Sequence, residues 1–215
     1  MAPLLLGHRG ARARKSIPEN TFASFDQALA DGCDGFEFDV RLTADGCALV
    51  CHDPHSGGIE IASASREQCL ALPRLEDVVA RYHARAFLDI ELKVSGLERS
   101  AAAALKEHRP ERGFVVSSFL PEVVLAMQAE DAAIPVGLIC ETREELLRWT
   151  DLPITYVIPH HKLVDERLVR EVQKAGKKIL VWTVNSRAEM EKLRDWGVDG
   201  IISDDTSMLA RTLGR

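Results

Sequence analysis

GFEFDVRLTADGCALVCHD, residues 35–53, is the stretch on which the fold turns. From Gly35 to Val40, Phe36, Phe38 and Val40 alternate with Glu37 and Asp39, the period of an extended strand. Both carboxylates therefore share one face, with Phe38 on the other. Only Arg41 to Cys47 separate this run from the next apolar one, and Asp45-Gly46 is a strong turn signal. A parallel crossover needs about a dozen residues or more. Ala48–His52 is therefore expected to fold back antiparallel on Gly35–Val40, which brings His52 towards Glu37 and Asp39.

The remaining apolar runs read as strands at Leu4–His8, Phe87–Leu92, Phe114–Ser118, Val136–Cys140, Ile154–Pro159, Ile179–Val184 and Gly200–Ser203. Most are short and continuously apolar, as strands covered on both faces are. Amphipathic helical stretches lie between most of them. Phe22, Phe25 and Leu29 form one apolar face, Val123, Val124 and Met127 another, Met190 and Leu193 a third. Ser186 and Pro121 read as helix starts, and Gly32, Gly176 and Gly197 as stops. With the hairpin strand set aside, eight parallel strands remain, and the expected fold is a TIM-type (β/α)8 barrel with one extra β-hairpin strand. A single domain over residues 1–215 is expected, with Pro54–Leu72 as a short lid or insertion.

Composition narrows the partners. A net charge of −6 disfavours nucleic acid and anionic lipid, both of which select basic surfaces. Cys33, Cys47, Cys51, Cys69 and Cys140 are odd in number and contain no CxxC pair, which suits reduced thiols and not a disulfide framework. Zinc at Cys47, Cys51 and His52 is disfavoured, because on a strand the two cysteines face away from the histidine. The start Pro3-Leu4-Leu5-Leu6 is too short for a signal-peptide core, and no run reaches the ~20 apolar residues of a membrane span. A soluble, cytoplasmic protein without stable membrane insertion is expected.

Catalytic chemistry in such a barrel belongs to the strand ends. Asp89-Ile90-Glu91-Leu92-Lys93 repeats the charged alternation of Glu37 and Asp39. Inward-facing carboxylates are costly unless paired or bound to a cation. Glu37, Asp39 and Glu91 are hard oxygen donors suited to Mg²⁺ or Ca²⁺, with Mn²⁺ or Co²⁺ also admissible. An internal salt-bridge network neutralised by Lys93 satisfies the same pattern equally well. His8 and His52 stand at strand tips, where one imidazole can take a proton while the other gives one. Arg9 offers a guanidinium suited to phosphate oxygens, and Gly10 a sharp turn beside it. No GxSxG, HExxH, P-loop or GxGxxG motif is present. These parts together fit the movement of charge at a phosphodiester.

In this ordered set the chain resembles the glycerophosphodiester phosphodiesterase family. The matching elements are His8-Arg9-Gly10, Pro18-Glu19-Asn20-Thr21, Glu37-Phe38-Asp39-Val40, Leu42-Thr43-Ala44-Asp45-Gly46 and His52-Asp53. They continue with Leu75-Glu76-Asp77-Val78, Glu91-Leu92-Lys93, Ser118-Phe119, Trp182-Thr183-Val184-Asn185 and the run from Gly197 to Asp204. The resemblance implies hydrolysis of small-molecule glycerophosphodiesters to glycerol 3-phosphate and an alcohol by a divalent-metal enzyme. It implies Glu37, Asp39 and Glu91 as metal ligands, His8 and His52 as the acid–base pair, and Arg9 and Lys93 as phosphate holders. In the mechanism it implies, the glycerol 2-hydroxyl attacks phosphorus and water then opens a cyclic phosphate. His8 is taken as the first base and His52 as the first acid.

The other matched residues have local readings. Asn20 or Thr21 is a natural N-cap, Glu19 stands near the implied metal, and Asp204 is placed to cap the last helix. Trp182 reads either as a wall of the substrate cavity or as barrel core. After His52-Asp53, Pro54-His55-Ser56-Gly57-Gly58 replaces the Leu-x-Arg-Thr-Thr-like segment and longer insertion common in the family. A small lid admits a second expectation, a phospholipase D-like activity on lysolipids. A third is a phosphate-binding barrel without turnover.

Overall fold

Strand, helix and strand follow one another through residues 2–214, the residues that this computed structural model describes; the two ends of the expected 1–215 domain lie outside them. In chain order the elements are β1 (Leu4–Gly7), α1 (Phe22–Ala30), β2 (Gly35–Leu42), β3 (Ala48–Val50), β4 (His55–Ser56) and β5 (Ile59–Glu60). Then come α2 (Leu75–Tyr82), β6 (Phe87–Leu92), α3 (Glu98–Glu107), β7 (Phe114–Ser118), α4 (Pro121–Glu130), β8 (Val136–Cys140) and α5 (Arg143–Leu147). The chain ends with β9 (Tyr156–Pro159), α6 (Glu166–Lys174), β10 (Lys178–Val181), α7 (Arg187–Trp196), β11 (Gly200–Ser203) and α8 (Thr206–Leu213).

The nine-stranded sheet runs β1-β11-β10-β9-β8-β7-β6-β2-β3 and closes by the pairing of β1 with β2. β3 alone is antiparallel, with Val40 opposite Val50 and Leu42 opposite Ala48. The other eight strands are parallel and form the expected barrel, and β3 lies outside the ring on β2. Four strands, β6, β7, β8 and β11, keep the bounds read from sequence. The largest difference is at β10, which stops at Val181 instead of Val184. Trp182 makes one isolated bridge to His160 and turns its indole N–H to the Ile158 carbonyl at 2.9 Å, which ends the ladder.

Alternation along each strand sorts two cores. Outward residues, including Phe36, Phe38, Leu88, Ile90 and Leu92, pack beneath the helices with Phe25, Tyr82 and Met127. Phe25 stacks on Phe36 at 4.2 Å between centroids, and Tyr82 meets Phe36 edge-on at 4.9 Å. The expected faces of α1, α4 and α7 are the ones buried here. Inward residues Leu6, Phe87, Val115, Ile139, Tyr156, Ile158, Leu180 and Ile202 fill the barrel. Glu37, Asp39, Asp89 and Glu91 occupy the same inward rows on β2 and β6.

Pro54–Leu72, expected as a short lid or insertion, packs on the β2–β3 hairpin. Ile61, Ala64 and Cys69 bury with Leu49 of β3 in a small core of their own. The segment is thereby held against the outer face of the hairpin. Ile59 and Leu70 of the segment stay exposed, and none of its residues lines the cavity described below.

Candidate active site

β2 and β6 run in register, Glu37 beside Asp89 and Asp39 beside Glu91, so four carboxylates share the barrel interior. Glu37, Asp39 and Glu91 each present an oxygen, and these oxygens lie within 4.8 Å of one another. All three residues are buried. Two cations approach but do not satisfy them. Lys93 Nζ lies 2.7 Å from Glu91 Oε1 and 3.4 Å from Asp39 Oδ1, and Arg9 Nε lies 3.3 Å from Asp39 Oδ2. Glu37 Oε1, Asp39 Oδ1 and Glu91 Oε1 still lack a hydrogen-bond donor in bonding geometry. Buried acceptors without donors are rare and costly, and an oxygen-ligated divalent cation fits this set.

The proton affinities follow. Burial first, then Asp39, Glu91 and Asp89, push Glu37 well above the usual carboxylate range. Burial and Asp39 raise Glu91 to about 7, against the pull of Lys93. Burial also raises Asp89 to about 7, although Ser117 Oγ donates to it at 2.6 Å. Asp39 is the exception: burial raises it, but Lys93, Arg9 and Asn20 together hold it below its ordinary value.

His8 and His52 both reach this cluster. His8 lies 12% exposed, with Nε2 3.9 Å from Glu37 Oε2 and Nδ1 2.7 Å from Asp204 Oδ1. Asp204 is itself held by Asn185 Nδ2 at 2.7 Å and Arg12 Nη1 at 3.2 Å. These donors, with His8, keep its carboxyl well below the usual range despite burial. His52 is 33% exposed and pairs through Nδ1 with Asp53, which is 75% exposed. Burial lowers the affinity of His52 for a proton, partly offset by Asp53 and Asp39. The hairpin does what its length required: the Cys51 amide donates to the Asp39 carbonyl at 3.0 Å, and His52 follows directly.

The turn after β1 is tightly specified. Arg9 has φ 51, Gly10 φ 80 and Asn20 φ 57, and Arg9 and Asn20 are the non-glycine residues with positive φ among those described. Strain of this kind persists only where the surroundings over-determine it. The Arg9 amide donates to Glu37 Oε2 at 2.9 Å, and its carbonyl accepts from the Asn20 amide and Ser24 Oγ. A side chain at Gly10 would collide with Ser24 backbone atoms at 2.6–2.7 Å, so glycine is obligatory there.

These residues open into a cavity of about 320 Å³ lined by His8, Arg9, Glu37, His52, Asp89, Glu91 and Lys93 on one side. Phe119, Ile139, Glu141, Ile158, Trp182 and Ile202 line the other. A profile of the glycerophosphoryl diester phosphodiesterase family matches residues 8–58 and 64–208. The chain belongs to this family, and is an enzyme of that class. A glycerophosphodiester phosphodiesterase from Caldanaerobacter subterraneus subsp. tengcongensis is 30% identical to it, over 97% of each chain. The crystal structure of a glycerophosphodiester phosphodiesterase from Parabacteroides distasonis has the same fold, with a TM-score of 0.85 at 24% identity, covering 99% of this chain and 97% of that one. A phosphodiesterase from Oleispira antarctica, solved in complex with the product sn-glycerol-3-phosphate, is 25% identical with a TM-score of 0.86, covering 100% of this chain and 98% of that one.

All eight sequence-predicted site residues line or adjoin one cavity: His8, Arg9, Glu37, Asp39, His52, Glu91, Lys93 and Trp182. Asn20 is not the cap of α1; Thr21 is, accepting from the Ser24 amide. Asn20 instead donates to Asp39 Oδ2 at 2.8 Å and accepts from the Asp39 amide. Asp204 does not cap α8, a role taken by Asp205. Glu19 is turned to Arg9 and Arg12 at 2.7 Å each and stands outside the cluster. The positions of Asn20 and Asp204 inside matched motifs were signals that local capping rules overrode.

Among the described residues no helix is long and apolar enough to cross a membrane.

Proposed function

We propose that this chain hydrolyses glycerophosphodiesters to glycerol 3-phosphate and an alcohol, with a divalent cation held by Glu37, Asp39 and Glu91. The observation that carries the reading is the convergence of three buried carboxylate oxygens without aligned donors, beside two histidines in one cavity. When bound, the cation supplies positive charge for the phosphoryl oxygens. Mg²⁺ and Ca²⁺ suit an all-oxygen set, as Mn²⁺ does.

The chain's own groups carry the protons. With Nδ1 donating to Asp204, His8 keeps the Nε2 lone pair, which takes the proton of the glycerol 2-hydroxyl as that oxygen attacks phosphorus. Asp204, kept ionised, stabilises the imidazolium that results, as a buried carboxylate does behind a catalytic histidine. Protonated His52 gives its proton to the departing alcohol oxygen; its depressed proton affinity makes it a stronger acid. Water then opens the cyclic phosphate with the roles reversed. Arg9 is committed to Glu19 through Nη1 and faces Asp39 through Nε, which leaves Nη2 for a phosphate oxygen. Lys93 lies across the cluster and holds another.

The test is a chelator-reversible assay on sn-glycerophosphocholine with wild type, His8→Ala and His52→Ala. Activity is expected to vanish with chelator and return with added Mg²⁺, Ca²⁺ or Mn²⁺. Each histidine variant is expected to lose about 10³-fold in kcat. Full activity in the stripped enzyme, or in either variant, would overturn the reading.

A further inference from the structure

The cavity rim is divided by chemistry. β1, β2, the hairpin and β6 bring His8, Arg9, Glu37, His52, Glu91 and Lys93, the groups proposed to hold metal and phosphate. The strands that follow bring a different set to the same rim: Phe119 after β7, Glu141 after β8, and Trp182 after β10. Trp182 meets Phe119 edge-on at 5.6 Å and His160 edge-on at 5.2 Å. Its indole is fixed by the bond from Nε1 to the Ile158 carbonyl. Trp182 is thus locked on the far wall of the cavity, and Phe119 stands between it and Lys93, whose Nζ lies 5.6 Å from the Phe119 ring centroid.

Glu141 is the odd residue in that wall. It is exposed, follows Cys140 at the end of β8, and lines the cavity. Its backbone amide is held by Glu145 Oε2 at 2.8 Å. Among the described residues, no lysine, arginine or histidine forms an ion pair with its carboxylate. It differs in this from Glu37, Asp39 and Glu91, which face Arg9, Lys93 or His8. A carboxylate with no ion-pair partner, on the same cavity wall as Trp182 and with the His160 imidazole as a basic neighbour, is an arrangement that receives an ammonium group.

Resting on the proposed hydrolysis of glycerophosphodiesters, we propose that Glu141, with Trp182 and Phe119, is a specificity subsite selecting diesters whose alcohol carries an ammonium group. The phosphate is held on the β1–β2–β6 side, and the alcohol leaves toward the β7–β10 side. A quaternary or protonated amine two carbons beyond the ester oxygen then meets the carboxylate and the ring faces. A neutral alcohol of the same shape fills the same space without the charge interaction.

The experiment uses two isosteric diesters, sn-glycerophosphocholine and the glycerophosphate ester of 3,3-dimethylbutanol, in which carbon replaces the quaternary nitrogen. Wild type is expected to favour the choline ester about tenfold in kcat/KM, mainly through KM, for a rim carboxylate acting with aromatic faces. Glu141→Gln is expected to bring the two substrates to within about twofold, mainly by raising KM for the choline ester, and Glu141→Asp to keep part of the preference. Equal rates on both esters in wild type, or an unchanged preference in Glu141→Gln, would overturn the proposal. So would equal loss on both esters, which marks a structural role. Hydrolysis of neither ester by wild type with metal would instead overturn the underlying phosphodiesterase reading.

Discussion

Two halves of one barrel use the same inward positions for opposite purposes. On β8, β9, β10 and β11 those positions hold Ile139, Ile158, Leu180 and Ile202, an ordinary packed interior. On β2 and β6 they hold Glu37, Asp39, Asp89 and Glu91, each buried and most of them raised in proton affinity. The apolar half stabilises the fold by removing hydrocarbon from water, about 1.5–3 kcal/mol for each fully buried aliphatic side chain. The acidic half costs stability unless a cation arrives. The candidate site is therefore concentrated where the barrel is least favourable to itself, and the compensation lies on the outer face of β2, where Phe36 and Phe38 pack against Phe25 of α1 and Tyr82 of α2.

The two halves meet at Asp204, which follows β11 of the apolar half and reaches His8 at the end of β1. Asp204→Asn is expected to lower kcat by about 10²-fold with KM little changed, because the orienting partner of His8 is lost while the cavity is not. Steady-state kinetics on glycerophosphocholine read this directly, and an unchanged kcat would remove Asp204 from the mechanism. A smaller effect is expected at Asn20. Asn20→Ala frees Asp39 of two hydrogen bonds and should raise the metal concentration for half-maximal activity by about 10–100-fold, with rates recovering at saturating metal.

The third expectation concerns pH. Glu91 and Asp89 titrate near 7 in the folded chain, against ordinary values of 4.5 and 3.8 in the unfolded one. Between those values the folded state binds more protons than the unfolded state, so stability falls as pH rises. The metal-stripped protein should therefore melt at a lower temperature at pH 8 than at pH 5.5, and the two halves of the barrel should be most unequal in alkali. Saturating metal should flatten that slope and release protons on binding near pH 7. Melting curves in chelator across this range check it, and a rising Tm would contradict the carboxylate assignments.

Much of this contrast was legible before any coordinates. The alternation of Phe36, Phe38 and Val40 with Glu37 and Asp39 shows both faces of β2 at once. The short Asp45-Gly46 return forces β3 outside the ring and delivers His52. What escaped were residues whose local role is a good decoy. Asn20 and Asp204 each precede a helix and have capping side chains, so local rules admit Asn20 beside Thr21 as the cap of α1 and place Asp204 at α8. In the fold their neighbours Thr21 and Asp205 take those bonds, and the freed side chains turn to Asp39 and His8. Pro54–Leu72 is hard to read for a related reason: a short loop after His52 reads as a lid or an insertion alike. The burial of Ile61, Ala64 and Cys69 against Leu49 is a pairing separated in sequence and invisible to periodicity.

Under the proposed function the acidic half is built for a cation and is not an internal salt-bridge network. Glu37 tests it best, since it accepts from the Arg9 backbone amide and faces His8 instead of pairing with the Arg9 or Lys93 side chain. Glu37→Gln keeps the shape and the bond from the Arg9 amide while removing one buried charge. Measured by thermal melting in chelator at pH 8, the variant is expected to be more stable than wild type, by about 1–3 kcal/mol, and to lose metal-dependent stabilisation and turnover. A variant that melts lower than wild type in chelator while still responding to metal would contradict the account.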